Sequence, residues 1–371
     1  MKKMASIQDV AKRAGVSIAT VSRVLNGTAY VNDDVAARVH EAIRELGYRP
    51  NNAARTLRVQ RSRIIGLLIS DIRNPFHTSL VRSVEDIAQK NGYSVILCNS
   101  DEDPEKEHQY VEVLCAEQVA GAIAMPTHEH TRSLHLFHQR HIPVVAVDRR
   151  VVDGKTDAVL LNNIRGAHEA VTHLISNGYR RIGLITGPTE TTTGRERRDG
   201  YRKALEDAGI SPDPVLEKYG TFKEESGAQL TLELLALQEP IDALFVTNNL
   251  MTLGALEMLQ RHIRIPEDVA VVGFDEMPWA TLSVISLTTV SQPTYDLGST
   301  AALRLIERIQ NPTRLTRQEF ILAPTLHIRA SSSPHAQLVL REPQDAALGN
   351  DSWRSSKSSG FRATCRDADQ E

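Results

Sequence analysis

The residues best placed to do chemistry in this chain of 371 come directly after short apolar runs. Asp71-Ile72-Arg73-Asn74-Pro75-Phe76-His77 follows the run 64–69, and Asp148-Arg149-Arg150 follows 144–147. The run 182–185 leads to Gly187-Pro188, three threonines and Arg197; further on stand Gly220-Thr221-Phe222, Asn248-Asn249, Asp275 after Gly273-Phe274, and Gln292 before Pro293. Planar amides and carboxylates make paired hydrogen bonds to adjacent hydroxyls, and aromatic rings cover an apolar sugar face. Asn, Asp, Arg and Gln with one or two aromatic rings at these places therefore have the chemistry of a sugar site. Each member alone has a plainer reading, as a helix cap, a core ring or a solvated charge. Their shared position at the ends of apolar runs favours a site.

A second chemistry lies near the N-terminus. Residues 6–26 read as two short helices meeting at a tight turn. Ser6 and Asp9 fit an N-cap and its partner three residues on. Ile7, Val10, Ala11 and Ala14 fall on one side of the first helix; Gly15 can end it, and Ser17 can cap the next. On the second helix Val21, Val24 and Leu25 share one side, while Ile18, Ala19, Ser22, Arg23 and Asn26 share the other. A helix-turn-helix needs this division, one stripe packing and the other reading base edges. Arg23 is the expected reader of guanine; Ile18 and Ala19 would read by shape and thymine-methyl contact.

These residues need elements to hold them. A third head helix is expected from about Asp34 to Leu46, capped by Asn32 or Asp33 and stopped at Gly47, with Val35, Val39, Ala42 or Ile43, and Leu46 facing inward. Residues 51–58 have the length of two helical turns, too short to be stable alone in water. From Ile64 the texture becomes α/β: apolar runs at 64–69, 95–98, 122–125 and 144–147 alternate with helical patterns, and a second series follows at 159–161, 182–185, 244–246, 269–274 and 288–290. Gly92-Tyr93 and Gly178-Tyr179 are matching helix stops before strands. Buried parallel strands separated by helices produce this alternation, and two such series predict two doubly wound lobes with a cleft between them.

Composition agrees. Residues 1–63 hold three Lys and nine Arg against five acidic residues, a balance of +7, so the remainder carries −10 of the overall −3. A basic head on an acidic body predicts polyanion binding through one end. No apolar run is long enough to span a membrane, and Met-Lys-Lys-Met-Ala-Ser-Ile-Gln-Asp lacks the apolar core of a signal peptide. Cys98, Cys115 and Cys365 have no metal-ligand spacing and suit a reducing cytoplasm. The serine-rich segment from about Ser331 is expected to be a disordered tail.

The stretch Asp-Val-Ala, Ala-Gly-Val-Ser, Thr-Val-Ser-Arg, Asn resembles the DNA-binding head of the lactose-repressor (LacI/GalR) family of bacterial transcription regulators. The resemblance extends to about residue 330. It implies DNA contacts from Ser17, Ile18, Ala19, Thr20, Ser22, Arg23 and Asn26. It also implies a hinge helix in the minor groove, with contacts from Asn51, Ala54, Leu57 and Arg58, Leu57 acting as a wedge. The body is similar to periplasmic sugar-binding proteins of the ribose type, and the resemblance implies ligand contacts from Asn74, Phe76, Asp148, Arg149, Arg197, Phe222, Asn248, Asp275 and Gln292, which match that type's positions, and from His77, which stands where a second Phe is usual. Met125 and Asn249 also depart, standing where Asn and Asp are usual. The implied effector is a pentose or related polyol. Some family members form tetramers through a C-terminal leucine heptad; Leu338, Leu340 and Leu348 do not make one, so a homodimer is expected.

Rival classes are weaker. A DNA-free sugar-binding protein would need a signal peptide and no basic head. An enzyme lacks support: there is no Walker A lysine loop, no Gly-x-Ser-x-Gly and no His-Glu-x-x-His. His128, His130, His135, His138 and His141 raise the thought of zinc, but they read better as an exposed helix and its loop. The acidic run Asp101-Glu102-Asp103-Pro104-Glu105 reads as a helix start complementing the dipole.

The expected architecture is thus an all-α helix-turn-helix head (1–50), a hinge and linker (51–63), and a two-lobed α/β body of periplasmic-binding-protein type (64–330), with a tail at 331–371. Lobe 1 takes about 64–161 plus 293–322, and lobe 2 about 162–292 plus 323–330. The expected function is a cytoplasmic repressor of double-stranded operator DNA under sugar control. It needs no cofactor, metal or membrane. A non-sugar effector or corepressor is the alternative.

Overall fold

The computed structural model describes residues 5–26, 30–48, 62–277, 286–311 and 316–333. Residues 334–371 of the tail, the hinge positions Asn51, Ala54, Leu57 and Arg58, and the side chain of Asn26 lie outside the described residues. Ser331 and Ser332, expected in a disordered tail, are instead buried against the second lobe, where the Ser331 hydroxyl donates to the Val271 carbonyl at 2.6 Å and satisfies a buried acceptor.

The head is three helices, α1 Ile7–Ala14, α2 Ile18–Asn26 and α3 Asp33–Leu46. The capping box forms: the Asp9 amide donates to Ser6 Oγ at 3.3 Å, and the Ser6 amide to Asp9 Oδ2 at 2.8 Å. Gly15 ends α1 in the left-handed region at φ 65°, which glycine enters without steric cost. Val10, Ala11, Ala14, Val21, Val39 and Ala42 make the small core. Leu46, expected inside, is 36% exposed; it is the last residue of α3 before Gly47.

The body contains two six-stranded sheets. The strands are β1 Ile64–Ile69, β2 Ser94–Asn99, β3 Gly121–Ala124, β4 Val144–Val147, β5 Asp157–Leu161, β6 Ile182–Thr186, β7 Glu217–Tyr219, β8 Ala243–Val246, β9 Ala270–Phe274, β10 Thr288–Ser291, β11 Glu319–Leu322 and β12 Thr325–His327. The first sheet runs β11-β5-β4-β3-β1-β2, all parallel; the second runs β12-β10-β9-β8-β6-β7, parallel except for β12. Strands β3, β4, β5, β6, β8 and β9 are buried throughout. Helices on both faces cause this, and it explains the continuous apolar runs.

Each sheet has an apolar layer on either face. In the first lobe Leu67, Leu80 and Leu305 pack on one side and Leu68, Leu114 and Phe137 on the other. In the second, Leu184, Tyr201 and Phe274 oppose Ile185, Leu234 and Val271. The chain passes between sheets three times: after β5, between β10 and the helix Thr294–Gln310, which packs under β3, β4 and β5, and through Ala323-Pro324 between β11 and β12. Sequence reading finds neither β11 nor β12 as strands. Both are short edge strands with alternating half-exposure; β12 has no apolar run to notice, and the run 320–322 of β11 goes unread because it follows no pattern of its own lobe's series.

The histidine segment is less exposed than expected. Its helix is only His135–Gln139, and Glu129, Thr131, Ser133, Leu134 and Phe137 are buried around it. His138 Nε2 lies 3.0 Å from both Asp153 Oδ2 and Thr156 Oγ1. Among the described residues no group of three or more His, Cys, Asp or Glu is placed to hold a metal, and no helix is long and apolar enough to cross a membrane.

Candidate functional site

In both sheets the strand order reverses beside the first strand of the lobe, with β1 between β2 and β3 and β6 between β7 and β8. Crevices outside the carboxyl ends of strands at such a reversal are where doubly wound sheets bind ligands. One cavity lies there, walled by both lobes. From the first lobe come Asn74, Phe76 and His77 after β1, and Asp148 and Arg149 after β4. From the second come Arg197, Phe222, Asn248, Asp275 and Gln292. All ten residues singled out in the sequence line it, together with Ser70, Asp71, Glu102, Met125 and Thr193.

Helix starts place several of them. Asn74 caps the helix Pro75–Lys90, its Oδ1 accepting from the Phe76 amide at 2.9 Å. The same oxygen accepts from Asn249 Nδ2 of the other lobe at 2.7 Å. Asn248 caps the helix Asn249–His262 through Oδ1. Arg197 sits on the helix Thr192–Asp207 and is held by Asn163 Oδ1 at 2.8 Å and the Thr247 carbonyl at 2.7 Å. Its guanidinium carbon lies 3.8 Å from the centre of the Phe274 ring. That stacking fixes its plane.

Backbone strain concentrates at this wall. Glu102, Asp148, Phe222 and Asp275, which line the cavity, all have φ between 62° and 73°. A non-glycine residue there costs on the order of 1–3 kcal/mol, and such residues cluster at ligand clamps. Here the strained conformation turns the carboxylates and the ring inward from strand ends.

The polar balance is incomplete. Asp148 Oδ1, Arg149 Nε and Gln292 Oε1 are buried with no hydrogen-bond partner among the described residues. Buried polar atoms normally have partners, so three orphans around one cavity mark groups held ready for a ligand. Burial, reinforced by the charges of Asp275 and Glu102, raises the Asp148 carboxyl to about 6 although Arg197 and Arg149 pull it down. Burial likewise pushes His77 down, keeping it neutral. The cavity is about 20 Å³, room for roughly one water. A sugar enters only if the lobes part.

Glu102 corrects the sequence reading. Asp103 and Pro104 do start the helix Pro104–Ala116, but Glu102 turns away from it and binds Arg149 with both oxygens, each at 2.7 Å. An acidic run ahead of a helix hides such a residue, because dipole complementation explains the whole run equally well. The two departures in the first lobe touch each other: His77 Nε2 lies 3.2 Å from Met125 Sδ, and Nδ1 is 2.5 Å from the Asp71 carbonyl.

On the head, Ser17, Ile18, Ala19 and Arg23 are exposed and Thr20 and Ser22 half-buried. Ser17 caps its helix, accepting from the Thr20 amide at 3.1 Å, with its hydroxyl 2.9 Å from that of Thr20. The outward stripe of α2 is open along Ile18, Ala19 and Arg23.

The fold therefore defines a class: a helix-turn-helix head joined to a body of two doubly wound lobes of periplasmic-binding-protein type. Comparison with known proteins makes the assignment specific. Residues 6–51 match the lacI family of bacterial regulatory proteins, and residues 171–332 a periplasmic binding protein-like domain. The HTH-type transcriptional regulator RegA of Clostridium saccharobutylicum is 39% identical over 88% of this chain and 99% of its own length. The ribose operon repressor of Escherichia coli strain K12 is 37% identical over 89% and 100%. Among solved structures, the Lac repressor dimer bound to operator and the anti-inducer ONPF matches with a TM-score of 0.78 at 28% identity, over 90% of this chain and all of that one. A LacI family regulator from Enterococcus faecium with bound ribose matches with a TM-score of 0.66 at 30% identity, over 73% and 99%. The chain belongs to the LacI family of DNA-binding transcriptional regulators.

Proposed function

We propose that this regulator is a cytoplasmic homodimeric repressor whose affinity for operator DNA is set by a small sugar, a pentose or related polyol, bound between the lobes. The observation that carries the sugar reading is the set of three orphaned buried groups, Asp148 Oδ1, Arg149 Nε and Gln292 Oε1, around a cavity shared by both lobes. An acceptor, a donor and an acceptor, backed by Phe76 and Phe222, are what ring hydroxyls and a pyranose or furanose face need. A relative named for the ribose operon and a structural relative with bound ribose support the same chemistry. The lobes fall at 64–161 plus 293–322 and 162–292 plus 323–330, with the three crossings as hinges. The DNA contacts proposed are those of α2 from Ser17 to Asn26 and those of Asn51, Ala54, Leu57 and Arg58. No catalytic role is assigned to the cleft.

The test is calorimetry with D-ribose and related pentoses and pentitols, after mass spectrometry of whatever co-purifies. Asp275 accepts from Gln292 Nε2 at 2.5 Å and is buried beside Arg197. Asp275→Ala should cost about 1.5–3 kcal/mol of ligand binding and leave ligand-free operator affinity unchanged. Wild-type ligand affinity in that variant would remove the cleft as the effector site.

A further inference from the structure

The cleft holds two buried guanidiniums, and at first sight they suit an anion such as a sugar phosphate. Their bonding says otherwise. Arg149 gives both terminal nitrogens to Glu102 at 2.7 Å, and Nη1 also reaches the Pro126 carbonyl at 3.2 Å. A fork–fork pair of this kind satisfies the face of the guanidinium that a phosphate would use. Its Nε is left, 3.9 Å from Asp148 Oδ2, and suits a single hydroxyl oxygen. The Phe222 ring covers the guanidinium at 5.1 Å, closing the approach from the second lobe. Arg197 is committed too, to Asn163 and the Thr247 carbonyl, with Asp275 at 3.8 Å.

The charges count the same way. Inside the cleft three buried carboxylates, Glu102, Asp148 and Asp275, face two buried guanidiniums, Arg149 and Arg197, while at its mouth Asp71 and Asp101 share Lys223 and are balanced further by the exposed Arg73 and Lys106. Burial pushes Glu102 up, but the charge and hydrogen bonds of Arg149 overcome this and hold it below the ordinary carboxylate value. It therefore stays ionised beside the ligand. An added anion would meet a surplus of negative charge in a site with little water to screen it.

We propose that Glu102 is a specificity residue that neutralises Arg149 and restricts the effector to uncharged polyols, excluding phosphorylated and carboxylated sugars. The proposal rests on the cleft being the effector site and deepens it by naming the class it accepts. Nothing about Glu102 as a mere structural partner requires the cleft to discriminate by charge.

The experiment titrates the full-length protein and Glu102→Gln with D-ribose, D-ribose 5-phosphate and inorganic phosphate by calorimetry at neutral pH. The wild type should bind neither phosphate probe in the millimolar range. Removing the charge should raise affinity for D-ribose 5-phosphate about tenfold or more and give inorganic phosphate measurable binding. Binding of D-ribose 5-phosphate by the wild type as tight as that of D-ribose would overturn the proposal, as would a folded Glu102→Gln protein with no gain for either anion. If anion binding appears in the variant while no neutral pentose binds the wild type, the sugar reading of the cleft fails and the charge filter stands. Should Glu102→Gln not fold, Glu102→Asp, which shortens the reach to Arg149, should show a smaller gain, and its absence would be equally damaging.

Discussion

Lys223 of the second lobe places its ammonium 2.5 Å from Asp71 Oδ2 and 2.9 Å from Asp101 Oδ1 of the first. It follows Phe222, so the strained residue that presents the ring also brings the cation across the cleft. Asp71 is nearly buried and Lys223 one-fifth exposed, so the contact is better shielded than a surface pair but not dry. It clasps the two lobes at the mouth of the cavity. Removing Lys223 leaves the shielded Asp71 with only the more exposed Arg73, 3.4 Å away, which costs more than removing both partners.

Lys223→Met should therefore lower stability by about 1–3 kcal/mol, more than the double variant Lys223→Met, Asp71→Asn. Denaturant melts of the two singles and the double would show it. Simple additivity would mean that the contact does no work in solution.

Asp148 gives a pH signature. Its folded value of about 6 exceeds the usual aspartate value near 3.9, so between about pH 4 and 6 the folded state binds the extra proton and stability falls as pH rises. Above that window the penalty is complete, on the order of 2–3 kcal/mol. Asp148→Asn should be more stable than the wild type at neutral pH, with the advantage shrinking toward pH 4. Melting temperatures of both proteins across this range measure it, and parallel curves would contradict the assignment.

Arg23 stands exposed on the open face of α2. Arg23→Ala is expected to weaken operator binding by about 1–3 kcal/mol and to relax preference at one base pair. Selection from random DNA is the check: an unchanged motif would reassign base reading to other residues.

Gly254 allows the helices Glu224–Leu235 and Asn249–His262 to touch. A Cβ there would fall 2.0 Å from the Glu224 carbonyl oxygen and 2.8 Å from the Ala228 nitrogen, both rigid backbone. Alanine gains about 1 kcal/mol of helix propensity over glycine, but overpacking costs about 1–3 kcal/mol and backbone cannot step aside. Gly254→Ala should destabilise, and a rise in melting temperature would show that the helices separate freely.

Local order was legible in the chain because local chemistry decides it. Ser6 with Asp9, Gly15, Asn32 and Gly47 mark helix ends by hydrogen bonds and dihedrals that need no distant partner. Runs such as 144–147 declared themselves because strands buried on both faces tolerate only apolar side chains. The rule that binding groups collect at strand ends then pointed to the stretches that wall the cleft, and the resemblance to ribose-type binding proteins narrowed them to ten residues. What no local pattern contained was pairing at long range. Arg149 meets Glu102 across 47 residues, and Lys223 meets Asp71 across 152. An ion pair depends on where two strand ends arrive, and the order of strands in the sheets sets that. The edge strands β11 and β12 were hidden for the same reason, since half-exposed residues become strands only when a neighbour supplies the hydrogen bonds. The sequence by itself determined the head, the two lobes and the wall of the cleft. Only the tertiary structure decided which of its charges are already spent.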